Sequence, residues 1–175
     1  CFDNDNGNFL WTDPMNWDTD ELPTAGDVVV IDLGGGITVD LTSGTQSIGS
    51  LTLPTGNNLK LSGGTLDIAN ASTLDGTLTV NSGDLVIGTS LTVNNTLNWT
   101  RDGTISGGIL NLLGTTSVFG DSFNQRDLNN VTVNNSGTFN FNTGGGATPN
   151  DFLRLNNGTI FNNLSTGVFD YQTIS

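Results

Sequence analysis

Apolar and polar residues alternate along this chain in units of three. Leu51-Thr52-Leu53, Leu59-Lys60-Leu61, Leu66-Asp67-Ile68, Leu78-Thr79-Val80, Leu85-Val86-Ile87, Leu91-Thr92-Val93 and Leu97-Asn98-Trp99 follow one another. Leu110-Asn111-Leu112, Val131-Thr132-Val133, Phe139-Asn140-Phe141 and Leu153-Arg154-Leu155 continue the series. Alternate side chains of a strand point to opposite faces, so each triplet sends two apolar residues one way and its middle residue the other. Each is a very short, half-buried strand. The corners between them are rich in Gly and Asn, which tolerate the positive φ of tight turns. Successive triplets start about six to eight residues apart where none is skipped, so three sides close a turn of roughly twenty residues, within the range of stacked repeats. No window carries apolar residues at helical spacing for more than a turn, and β-branched residues are abundant.

The pattern predicts an all-β chain wound as a right-handed parallel β-helix, a β-solenoid. A β-sandwich is the alternative, but it would more often show strands of about five or six residues with longer connections. Residues 1–26 break the rhythm and hold Trp11, Pro14, Met15, Trp17 and Pro23. Bulky aromatics in irregular sequence at the start of a coil read as a cap over the first turn's core and strand edges. An aromatic platform for sugars is the other use such tryptophans could have. Residues 27–175 are read as rungs, opening with Val28 to Ile31 and Ile37-Thr38-Val39. Stretches near 121–130 and 143–151 lack triplets and read as loops thrown out from the coil, where repeat proteins often bind.

Charge narrows the partners. Seventeen acidic residues against four basic ones give a formal net charge of −13, which repels phosphate backbones and anionic headgroups. Nucleic acid is therefore not an expected partner. No apolar run reaches the roughly 20 residues of a membrane helix, so membrane insertion is not expected either. The one cysteine, Cys1, has no partner within the chain for a disulfide. A mature chain beginning with Cys could be acylated there; a boundary falling at that residue is the plainer reading.

Candidate chemistry is sparse. The absence of histidine removes imidazole bases, His-containing triads and the common zinc sites. Carbohydrate-active β-helices would need paired carboxylates, or a basic residue beside calcium-binding acids. Asp18, Asp20 and Glu21 cluster, as do Asp121 and Asp127 around Arg126. Asp at turns more usually bonds its own backbone, and no enzyme is expected. Asp3-Asn4-Asp5-Asn6-Gly7-Asn8 has the composition of a calcium loop. The EF-hand pattern wants Gly sixth and an acid twelfth, whereas Gly7 is fifth and Pro14 twelfth. No cofactor is expected, with calcium the one candidate ligand, at Asp3, Asp5, Asp18, Asp20 or Glu21. Outward threonines such as Thr52, Thr79, Thr92 and Thr132 raise an ice-binding array, but Lys60, Asp67, Val86, Asn98 and Arg154 share those middle positions.

The run Trp11-Thr12-Asp13-Pro14-Met15-Asn16-Trp17, followed by Pro23-Thr24-Ala25-Gly26-Asp27-Val28-Val29-Val30-Ile31, resembles the opening "W-x-D-P-x-N-W … P-x-x-G-D-x-V-x-I" of large secreted bacterial surface proteins with β-solenoid repeats, often described as adhesin-like. Asn98 to Gly108, Asn134 to Phe139 and Thr159 to Asn163 are similar to their repeats. The resemblance implies an extracellular or bacterial cell-surface location and carries over no catalytic residue. The reading is thus a non-catalytic extracellular structural or adhesive module, a stalk or fibre segment. A carbohydrate-binding or carbohydrate-processing β-helix, with surface glycans as its partner, is the alternative. Gly167 to Ser175 still reads as strand and supplies no polar cap, so the solenoid is expected to continue beyond 175 or to meet identical subunits end to end. The latter contact would set Val168, Phe169 and Tyr171 against Trp11 and Trp17.

Overall fold

The computed structural model describes residues 1–119, 125–143 and 152–173. They form a β-solenoid of three parallel sides. Side one stacks Val28–Val30, Ser50–Leu53, Ser72–Leu74, Ser90–Val93, Ile109–Leu112, Thr132–Asn135 and Ile160–Asn163. Side two stacks Thr38–Leu41, Asn58–Leu61, Thr77–Val80, Thr96–Trp99, Thr115–Val118, Thr138–Thr143 and Val168–Thr173. Side three stacks Thr45–Ile48, Thr65–Ile68, Asp84–Ile87, Gly103–Ser106, Gln125–Asn129 and Phe152–Asn156. Every strand pairs in parallel with the strand one turn away, which is why strands of three or four residues suffice: each is held from above and below rather than by its own length.

Register follows the triplets. Leu59, Leu78, Leu97 and Thr116 lie in one column, climbing about 19 residues per turn. From Thr116 to Phe139 the step is about 23 residues and from Phe139 to Phe169 about 30. In turns between Leu51 and Leu112 the two apolar residues of each triplet face inward and are buried. The columns tolerate little at the corners between sides one and two. A Cβ on Gly114 would run into the carbonyl oxygen of Asn95 directly beneath it, and one on Gly137 into that of Gly114.

The first strand of side two is Thr38–Leu41 and not Ile37-Thr38-Val39; Val39 and Leu41 face the core, while Ile37 is only half-buried. The stretch read as a loop near 121–130 needs a larger correction. Gln125–Asn129 is a strand of side three, paired with Gly103–Ser106 and Phe152–Asn156. Its side chain Arg126 points into the core and is fully buried, donating from Nη2 to the carbonyls of Phe119 (2.8 Å) and Thr100 (3.4 Å). The other stretch, near 143–151, falls mostly outside the described residues.

Residues before Val28 lie across the first turn. The Phe2 N–H donates to Val30 O and the Trp11 N–H to Asp40 O, while the Asp40 N–H donates to Phe9 O, each at 3.0 Å. These bonds engage the outer edge of side one at Val30 and that of side two at Asp40. Trp17 meets both Phe2 and Trp11 edge-on at 5.0 Å between ring centroids, and its Nε1 donates to the Trp11 carbonyl at 2.9 Å. A single turn of 3₁₀ helix, Pro14–Asn16, sets Trp17 in place; Asp13 caps it by accepting from the Met15 N–H.

Candidate functional site

Among the described residues the acidic side chains do not gather in groups of three. Asp3, Asp5, Asp18, Asp20 and Glu21 are all described, yet among the described residues no three ligating side chains converge on a point that could hold a metal ion. Asp18 instead sits 2.8 Å from the Cys1 amino group, and Asp3 accepts from the Asp5 N–H in its own turn. A cleft of about 360 Å³ opens beside the cap, lined in part by Asp18, Glu21, Leu22, Thr24 and Asp27. Asp27 is already engaged there by the Thr24 N–H (2.6 Å) and hydroxyl (2.9 Å), which hold its carboxyl below the usual aspartate range.

The cluster around Arg126 is divided by strand geometry. Arg126 and Asp127 are neighbours on one strand and so face opposite sides of the sheet: the arginine enters the core, and the carboxylate lies outside. There Asp127 accepts from Arg154 Nε (2.6 Å) and Nη2 (2.9 Å) and from Asn156 Nδ2 (3.1 Å) on the next rung, and from Gln125 Nε2 (3.2 Å) on its own strand. These bonds, Arg154 foremost, lower its pKa. A carboxylate so fully engaged is a tie between rungs and not a general base. Asp121 lies outside the described residues.

Trp11 and Trp17 are 0% and 2% exposed, so neither ring offers a stacking face to a sugar. These tryptophans plug the first turn, so their side chains present no surface for the expected head-to-tail contact. At the opposite end, Val168, Phe169 and Tyr171 lie together on the last strand of side two and are exposed.

Sorted by side, the middle positions separate into columns that the linear sequence mixes. Side one presents Thr52, Thr73, Thr92, Asn111, Asn134 and Asn162 in register, without a charge. Asp40 and Lys60 belong to side two, and Asp67, Asp127 and Arg154 to side three. Along side one the carboxamides hydrogen-bond to one another: Asn134 Nδ2 donates to Asn111 Oδ1 and Asn162 Nδ2 to Asn134 Oδ1, both at 3.0 Å. The outward polar groups thus tie one rung to the next. A step of about 19 residues, applied to the sequence, links Thr73, Thr92 and Asn111 but misses Thr52, Asn134 and Asn162, which are reached by steps of about 21, 23 and 28.

Comparison of the chain with protein-family models, with curated proteins and with solved structures finds no match.

Proposed function

We propose that the chain is a non-catalytic structural segment of an extracellular, adhesin-like bacterial surface protein, a stiff shaft that sets apart or presents whatever is joined to it. The observation that carries this reading is the direction of the polar bonding. Carboxylates and carboxamides on the surface bond from rung to rung, as in the Asn111, Asn134 and Asn162 ladder and the Arg154 to Asp127 pair. They reinforce the axis of the stack, and among the described residues no three ligating side chains converge. The tryptophan-bearing opening motif supports the surface location.

The test is a pair of measurements on the native protein. Antibody labelling of intact and lysed cells that make it should mark the intact cells, and the purified chain should release no new ends from a panel of polysaccharides. Labelling confined to lysed cells, or polysaccharide cleavage, contradicts the reading.

A further inference from the structure

Alternation of apolar and polar residues does not by itself choose how one rung sits on the next. A one-residue slip turns every side chain to the wrong face, but a two-residue slip keeps the apolar residues inward. Such a slip moves a strand by roughly 7 Å. Most corners after Asn58 leave no chain to absorb it: 75–76, 94–95 and 113–114 lead from side one to side two, and 62–64, 81–83 and 100–102 from side two to side three. Two later connections from side two to side three, 119–124 and 144–151, are longer, and chain of that length can supply the displacement.

Side-chain ties between strands gather at the two interfaces that these longer connections span. The carboxamide ladder runs there from Asn111 through Asn134 to Asn162, Arg154 holds Asp127 with two nitrogens, and Asn135 Nδ2 donates to Asn163 Oδ1 at 2.7 Å. On the strands of earlier turns the comparable contacts are longer, 3.4 Å both from Lys60 Nζ to Asp40 Oδ2 and from Asn111 Nδ2 to Thr92 Oγ1. The short ones, Ser62 Oγ to Asp40 Oδ1 (2.6 Å) and Asn94 Nδ2 to Asp75 Oδ1 (2.7 Å), sit at corners.

The apolar columns of the last rung tolerate a slide of two residues. Phe169 would come to lie over Phe141 in place of Phe139, and Leu153 over Leu128 in place of Arg126. The polar ties do not tolerate it: Asn162 would face Ser136, and Arg154 would face Asn129. We infer that Asn162, Asn163 and Arg154, set on Asn134, Asn135 and Asp127, form a register lock that selects one seating of the last rung where chain length and apolar packing permit two. The inference stands on the rung pairing alone and goes beyond the shaft reading.

The experiment traps the two seatings as disulfides on the outward face of side two, in a Cys1→Ser background. Thr138→Cys with Val168→Cys reports the native register, in which these residues are partners; Asn140→Cys with Val168→Cys reports the slide. Partners on neighbouring parallel strands lie about 4.8 Å apart, within reach of a disulfide, whereas residues two further along lie about 8 Å apart, outside it. With the ties intact only the first pair should cross-link. Joint substitution Arg154→Gln, Asn162→Thr and Asn163→Ser, all at exposed positions, should raise cross-linking of the second pair by roughly tenfold, as expected when several ordinary hydrogen bonds no longer separate the two seatings. A strand-rich dichroism spectrum checks that the variant folds; if it does not, Arg154→Gln alone and Asn162→Thr with Asn163→Ser are read in the same way. Ready cross-linking of the second pair with the ties intact would overturn the inference. So would folded variants whose urea midpoint falls while the second pair stays unlinked, because the ties would then stabilise the rung without choosing its seat. Cell location and polysaccharide cleavage, which decide the shaft reading, move neither readout.

Discussion

The first and last turns of this solenoid face the same problem and treat it differently. Each terminates a stack of strands whose outer edge lacks a neighbour and whose core would otherwise meet water. At the first turn irregular sequence crosses the opening, pairs its backbone with sides one and two, and drops two tryptophans and a phenylalanine into the core. At the last turn the same inward positions hold aromatics too, but no described residue crosses them, and they are about half exposed. The residue types are alike at both ends. What differs is that irregular chain crosses the first set while no described residue crosses the last, so an aromatic cluster in a solenoid sequence occurs in either setting, and only its flanking rhythm says which.

The contrast is broken most severely at the plug. Trp17→Ala should lower unfolding free energy by about 3 to 5 kcal/mol, because it removes a large buried surface, leaves a cavity and frees the Trp11 carbonyl. Urea unfolding of the variant checks this. Within the shaft, Gly114→Ala should cost about 3 kcal/mol through backbone displacement, since the added Cβ meets the Asn95 carbonyl and not a flexible side chain. The same denaturation experiment reads it. At the open end, Tyr171→Ala should cost only about 1 kcal/mol, since less than half of that side chain is withdrawn from water. If Trp17→Ala and Tyr171→Ala prove equally damaging, the ends are not distinct.

Acid gives the smallest effect and touches both ends. Asp13, held down by Asn6 and Asn8 in the cap, and Asp127, held down by Arg154 near the far end, have folded pKa values below the ordinary 3.8. The stability they contribute is complete above about pH 4 and is lost as pH falls through the lowered values. Arg154→Ala should bring the Asp127 part of that loss to higher pH, with a melting shift near neutrality of no more than about 2 °C, as expected for a largely exposed ion pair. Thermal melts of wild type and variant between pH 6 and 3 provide the check.

The middle of the fold was legible because its triplets obey both rules at once, alternation within the strand and recurrence between turns. It became illegible where an inward position is polar. Gln46, Ser72, Thr116 and Arg126 occupy inward columns, and a search for paired apolar residues passes over each of their strands. Ser72 is tolerated because its hydroxyl accepts from the Leu51 N–H and donates to Asn70 O; Arg126 because its Nη2 reaches the backbone carbonyls of Thr100 and Phe119. Those compensations are tertiary, so Gln125–Asn129 read as a charged loop. The acids of the cap do not gather in a group of three for a related reason: nearness in sequence put Asp18, Asp20 and Glu21 together, but turn geometry decides where carboxylates point. The plug, conversely, was visible in Trp11 and Trp17, while the burial that denies them to a partner was not.

Residue-resolved native-state amide exchange on the 175-residue chain tests the asymmetry most directly. The amides of Phe2, Trp11 and Asp40, bonded between the cap and the first turn, should exchange nearly as slowly as those of Leu78 and Leu97 in the shaft, while Phe169 and Tyr171 exchange orders of magnitude faster. Equal fraying at both ends, or a cap that opens before the last turn, would contradict the account.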